Sequence, residues 1–104
     1  MKKFRCIVTR TDEYIVEIDE KLINEEWMAA YREDFTNIHS LKDHAENIAW
    51  NRSANGEGVT YEGYGFVFVN GEAPWGAREE LVEKGINIKV IEEENYEFDV
   101  EEIK

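Results

Sequence analysis

Apolar and polar residues alternate with period two near both ends of the chain, over 3–9 and 13–19 and again over 86–90 and 96–100. Such alternation marks half-buried strands. Phe4, Cys6 and Val8 share one face of the first run, and Tyr14, Val16 and Ile18 share one face of the second. Folded on each other as a hairpin, the two runs set Cys6 opposite Val16 and leave Arg10-Thr11-Asp12 as the loop. The outer face then sets Lys3 against Asp19, Arg5 against Glu17 and Ile7 against Ile15. Facing opposite charges contribute about 0.2–1 kcal/mol each, so the charged face supports the register that the apolar face selects. The C-terminus repeats this grammar. Ile88 pairs with Phe98 inside and Lys89 with Glu97 outside, and the chain turns through Glu92, Glu93 and Glu94.

Between the two predicted hairpins the apolar spacing becomes helical. Asn24 caps a helix running to about Phe35, with Glu25 and Glu26 in a first turn that favours negative charge. Trp27, Met28, Tyr31 and Phe35 form its apolar stripe. A second helix starts from Ser40, with Asp43 three residues on, and stops at Asn55-Gly56. Leu41, Ala45, Ile48 and Ala49 make its buried face, and Trp50 lies about half a turn away.

Six of the seven glycines fall between 56 and 76. Within that stretch Tyr64–Val69 reads as a central strand, because both of its faces are apolar, and Asn70-Gly71 as a tight turn. Pro74 weakens any strand after it, and 77–84 reads as a short helix closed by Gly85. The elements sum to one domain over 1–104, a two-layer α+β fold. Its antiparallel sheet is built from N- and C-terminal hairpins plus a central strand, with the two main helices on one face.

Composition narrows the function classes. Twenty-four acids stand against twelve bases, a net charge of −12. A field of that sign repels nucleic acid, anionic lipid and phosphorylated ligands, and draws in basic surfaces. Three Trp, five Tyr and five Phe mark a folded protein rather than a disordered acidic tail. Cys6 alternates with Phe4 and Val8 and reads as a small core residue. The basic start of the chain leads into no apolar signal segment, and no run approaches the ~20 apolar residues of a membrane span. A soluble cytoplasmic protein is the expectation.

No catalytic motif stands out. His39 and His44 are five apart, not the same-face spacing of a helical zinc pair, and flank Ser40 at the two positions of a hydrophobic staple. Gly56-Glu57-Gly58 and Gly63-Tyr64-Gly65 are too short to cradle a phosphate, and Glu57 and Glu62 would repel it. The acids from Glu92 to Asp99 lack the calcium-loop pattern and its glycine. No cofactor or metal is implied.

The expected function is therefore a non-enzymatic protein-binding domain that engages a basic partner. In size and charge alone the chain resembles the small acidic inhibitors and nucleic-acid mimics of phages and mobile elements. Asp99, Glu101 and Glu102, which gain no base from the C-terminal hairpin, would steer that partner. Glu92, Glu93 and Glu94 stand beside them, and Trp50 is the anchor. Acids on one strand face recur every ~6.6 Å against one DNA charge per ~1.7 Å, so a mimic needs further acids from helix and loops. Trp50, Tyr61, Tyr64 and Trp75 all lie off or between the clear core stripes. The alternative is a small-ligand or hydrolytic domain around 56–76, with His39 or His44 moving a proton. A homo-oligomer burying Trp50 or Trp75 is the third reading.

Overall fold

The structure, a computed structural model, describes residues 1–57 and 60–104. Gly58, the last residue of Gly56-Glu57-Gly58, lies outside them. The α+β class stands: a three-stranded mixed sheet packs with two helices. In chain order the elements are β1 (Lys3–Ile18), α1 (Glu25–Asp34), α2 (Leu41–Asn55), β2 (Phe66–Val69), a 3-10 turn (Glu79–Leu81) and β3 (Val82–Ile103). No helix among the described residues is long and apolar enough to cross a membrane.

Both helices start and stop at their predicted signals. Asn24 accepts a hydrogen bond from the Trp27 amide at 2.9 Å, and Ser40 Oγ accepts one from the Asp43 amide at 3.2 Å. These side chains satisfy amides that have no partner within the first turn. At the far end Gly56 takes φ +79° and its amide caps the Arg52 carbonyl.

The sheet departs from the predicted pairing. Neither terminal hairpin forms. β1 and β3 are each one continuous strand, and they pair with each other, antiparallel, from Lys3↔Ile103 to Ile18↔Ile86. Charged partners are exchanged accordingly: Arg5 meets Glu101 instead of Glu17, and Lys89 meets Glu17 instead of Glu97. Period-two alternation fixes which residues share a face but not which strand lies alongside. Arg10-Thr11-Asp12 also lacks the glycine or asparagine of a tight hairpin turn. The two expected turns instead meet at one level of the ribbon and form an irregularity there. Thr11 faces Asn95, Glu13 faces Glu92 and Tyr14 faces Val90, so β3 carries two extra residues. One falls between Asn95 and Glu92, where Glu94 takes φ +53°, and the other between Glu92 and Val90. An insertion of two preserves the facing of every side chain beyond it, whereas one would invert it.

The remaining corrections are local. β2 is an edge strand parallel to β3, and β3 is central. The helix expected over 77–84 is reduced to the single 3-10 turn, and Gly85 lies within β3. Gly85 serves close approach rather than helix termination, since a Cβ there would come within 2.9 Å of Ile23 Cγ1. Asn70 and Gly71 form the expected turn, both at positive φ, with Val69 and Glu72 exchanging backbone hydrogen bonds.

The core lies at one end of the ribbon. Ile23, Met28, Tyr31, Ile48, Ile86 and Ile88 are among its buried side chains, and Tyr14, Val16 and Ile18 pack against it. Beyond Thr11 and Asn95 the ribbon leaves the helices behind and runs on as a two-stranded arm, Lys3–Thr11 against Asn95–Ile103. The molecule measures 59 × 30 × 20 Å, with a radius of gyration of 17.7 Å. A compact chain of this size would have about 13 Å.

Gly63 tests the packing of the body. Its φ is +87° and an added Cβ would overlap the Tyr31 ring. Gly63→Ala is expected to destabilise the protein by about 2–3 kcal/mol, read from the urea midpoint. A midpoint equal to wild type would contradict this packing.

Candidate functional site

The arm leaves a row of large apolar side chains uncovered on one face. Alternation places Phe4, Cys6, Val8 and Arg10 on one face of β1, and the register adds Glu102, Val100, Phe98 and Tyr96 from β3. In β1 this even-numbered face is the one that carries Tyr14, Val16 and Ile18 to the core. In the arm nothing covers it: Phe4 is 55% exposed, Val8 56%, Val100 58% and Phe98 71%. Cys6 is exposed too, which corrects its expected place in the core; the helices that would bury it end before the arm begins. Tyr96 stacks towards Phe98 with centroids 6.4 Å apart, and the Arg10 guanidinium lies 5.9 Å from the Tyr96 centroid. Exposed contiguous apolar patches of this kind are uncommon and are a feature that contact surfaces share.

Charge is distributed unevenly between arm and body. Residues 1–11 and 94–104 together carry five bases and five acids, so the whole net charge of −12 belongs to residues 12–93. The expected steering acids lie on the arm but are not all free. Lys2 pairs with Glu102 at 3.1 Å and Arg5 with Glu101 at 3.4 Å, while Asp99 faces Ile7 across the ribbon. These contacts follow from the β1–β3 register, which gives the C-terminal acids the bases that a local hairpin would have withheld.

Glu92, Glu93 and Glu94 sit at the irregularity where arm meets body, and they serve the fold. Glu93 takes a two-pronged ion pair from Arg52 of α2, Nε to Oε1 at 2.6 Å and Nη2 to Oε2 at 3.0 Å, and a hydrogen bond from Tyr14 Oη at 2.8 Å. Asp12 accepts from the Glu94 amide and from Ser53 Oγ, each at 2.9 Å, and pairs with Arg10. Glu92 accepts from Asn95. Both strands are thereby pinned to α2 at one level. The Arg52 side chain is only 6% exposed, so its pairing with Glu93 is obligatory. Arg52 holds the Glu93 carboxyl below the ordinary carboxylate range, with the Tyr14 hydroxyl assisting. Sequence spacing gives no sign of this junction, because Arg52 and Glu93 are 41 residues apart.

Trp50 is 67% exposed on α2, as its position off the apolar stripe predicts. It borders a shallow hollow with Asp43, Glu46 and Asn47, away from the C-terminal acids it was grouped with. Trp75 is fully exposed, whereas Tyr61 and Tyr64 are core residues.

The two histidines do not staple. His39 is exposed and its Nε2 lies 2.9 Å from Asn37 Oδ1. His44 is fully buried, edge-on to Trp27, Tyr31 and Tyr64 at 4.8–5.7 Å between centroids. Its Nδ1 lies 2.6 Å from Tyr64 Oη, and Asn47 donates to that same oxygen. Nε2 is buried without a partner. Burial first, then the nearby Arg32, lowers the His44 pKa from its ordinary 6.5, against a smaller opposing effect of Asp43. A neutral imidazole walled by aromatic rings is a packing group. A hollow of about 230 Å³ touches the glycine-rich segment at Gly63, with Trp27, Tyr31, Phe35 and Glu83 around it, and neither histidine lines it. Among the described residues, no three His, Cys, Asp or Glu side chains converge as a metal site.

No family model, curated protein or solved structure matches this chain.

The junction and the histidine give acid two separate windows of action. Folding favours neutral His44, so its contribution to stability is complete above pH 6.5 and declines as pH falls towards its depressed folded value. Glu93 is held ionised, so its contribution is present above 4.5 and is lost as pH falls through a folded value below that. Urea midpoints from pH 8 downwards are expected to fall in both windows. Glu93→Gln is expected to shrink the lower one, to which the depressed carboxyls of Asp12 and Glu17 also contribute, and to cost about 1–3 kcal/mol at neutral pH. A lower window unchanged by that substitution would contradict the role of the junction.

Proposed function

We propose that this protein is a non-enzymatic protein-binding domain that docks through the apolar face of its arm. The observation that carries this reading is the exposed row of Phe4, Val8, Phe98 and Val100 on a ribbon that projects from the body. Aromatic and aliphatic groups gathered on a rigid element supply contact energy once water is excluded from them. The arm's own charges balance, so docking there does not depend on the acidic field.

A second reading concerns the body and rests on the segregation of charge. With all of the −12 on residues 12–93, the body supplies the field that favours a basic partner, as an inhibitor or nucleic-acid mimic would. Glu101 and Glu102, engaged by Arg5 and Lys2, contribute little to that field. Steering therefore falls to the body rather than to the C-terminal acids.

Three baits test these readings: wild type, a Val8→Lys/Phe98→Lys variant, and an Asp99→Asn/Glu101→Gln/Glu102→Gln variant. Proteins docked on the arm are expected to be retained by wild type and by the acid-neutralised bait, and to be lost from the lysine variant by tenfold or more, about 1.4 kcal/mol. Basic proteins held by the body are expected to wash off all three baits as salt rises. Retention by the lysine variant equal to wild type would contradict the arm as a docking element. Release that does not depend on salt would contradict the acidic reading.

A further inference from the structure

We propose that the occupant of the arm's apolar face is a second copy of this chain, stacked face to face across a two-fold axis with the arms antiparallel. The proposal rests on the reading of the arm as a docking element and names its partner.

The residue pattern of the face is self-complementary under such an axis. From tip to body the cross-strand pairs on the even face are Phe4/Glu102, Cys6/Val100, Val8/Phe98 and Arg10/Tyr96. A two-fold axis between the second and third pairs lays the first upon the fourth and the second upon the third. The axis lies across the strands and so keeps β1 over β1 and β3 over β3: Phe4 meets Arg10 of the second copy, and Glu102 meets Tyr96 of the second copy. The smaller Cys6/Val100 pair lies beneath the bulkier Val8/Phe98 pair. An isologous interface requires just this match between one half of a patch and the other. Parallel stacking would instead bring the two acidic bodies to the same end.

Electrostatics permits the contact despite the net charge. Residues 1–11 and 94–104 balance five bases against five acids, and within the paired strands five of the seven charged side chains lie on the odd-numbered face, away from the stack. Antiparallel arms also place the two acidic bodies at opposite ends. Four pairs at twice ~3.3 Å span about 20 Å, more than twice the Debye length of ~8 Å at physiological salt. Edge-to-edge association through β3 is disfavoured, because an antiparallel pairing centred on Asp99 would set it against its own copy and Glu97 against Glu101 of the second copy.

The available area suits a reversible dimer. Six large or medium side chains, each about half exposed, offer on the order of 500–600 Å² per copy, or about 1,100 Å² in total. That falls at the lower end of specific interfaces, so the dimer is expected in the micromolar range.

Sedimentation equilibrium of the full chain, from micromolar to millimolar and at low and high salt, tests the proposal. Wild type is expected to dimerise, and more tightly as salt rises, because screening weakens the repulsion between bodies; a basic partner would respond in the opposite sense. Val8→Lys/Phe98→Lys is expected to be monomeric throughout, with circular dichroism reporting that it folds. Ile7→Lys, on the opposite face and beside Asp99, should leave it intact. Alkylation of Cys6 in wild type should slow as the protein is concentrated into the dimer range. Wild type monomeric throughout, or a dimer unaffected by Val8→Lys/Phe98→Lys, would overturn the proposal. If the arm-face variant nevertheless lost a captured protein, the arm would remain a docking element for another partner. If it lost nothing, the docking reading would fail as well.

Discussion

The antiparallel pairing of β1 with β3 determines where every other part of this molecule can lie. Its inner half presents Tyr14, Val16, Ile18, Ile86 and Ile88 to the helices and so closes the core. Its outer half has no helix to cover it and becomes the arm. An isolated two-stranded ribbon is marginal in water. This one is anchored where it leaves the body, by Arg52 and Glu93 on one strand and Asp12 and Ser53 on the other. The irregularity at that level leaves the facing of side chains unchanged, so the apolar side of the ribbon stays continuous in parity from core to tip.

That continuity has a chemical consequence. Below the junction the apolar side is buried and supports folding; above it the same side is exposed and is available for recognition. Charge divides at the same level, with a neutral arm and a body carrying the whole excess of acid. A single acidic surface would suggest only solubility or attraction to basic proteins. Separation of an apolar neutral element from a charged one allows contact and long-range selection to be set independently.

Local signals were legible in the sequence and long-range ones were not. Asn24, Ser40 and Gly56 announced both helices because a cap bonds to amides or carbonyls only a few residues away. Trp50 was legible as exposed because helical geometry fixes its angle from the stripe. Strand character was also legible, but Arg5 had two plausible acids across from it, Glu17 and Glu101, and alternation cannot choose between them. That one ambiguity produced the two hairpins, the buried Cys6 and the unpaired C-terminal acids. Gly85 was misread because a helix stop and a close approach both call for glycine, and only the position of Ile23 separates them. The junction of Arg52 with Glu93 and the enclosure of His44 by rings from α1 and a loop depend wholly on tertiary placement.

The pairing itself is open to a direct measurement that uses the single cysteine. A nitroxide attached to Cys6 broadens amide resonances of residues close to it in space. With β1 and β3 paired along their length, the amides from Phe98 to Glu102 are expected to broaden while those from Ile15 to Glu17 stay sharp. Broadening at Ile15–Glu17 with Phe98–Glu102 unaffected would mean that the N-terminus folds on itself, and the arm with its exposed face would not exist.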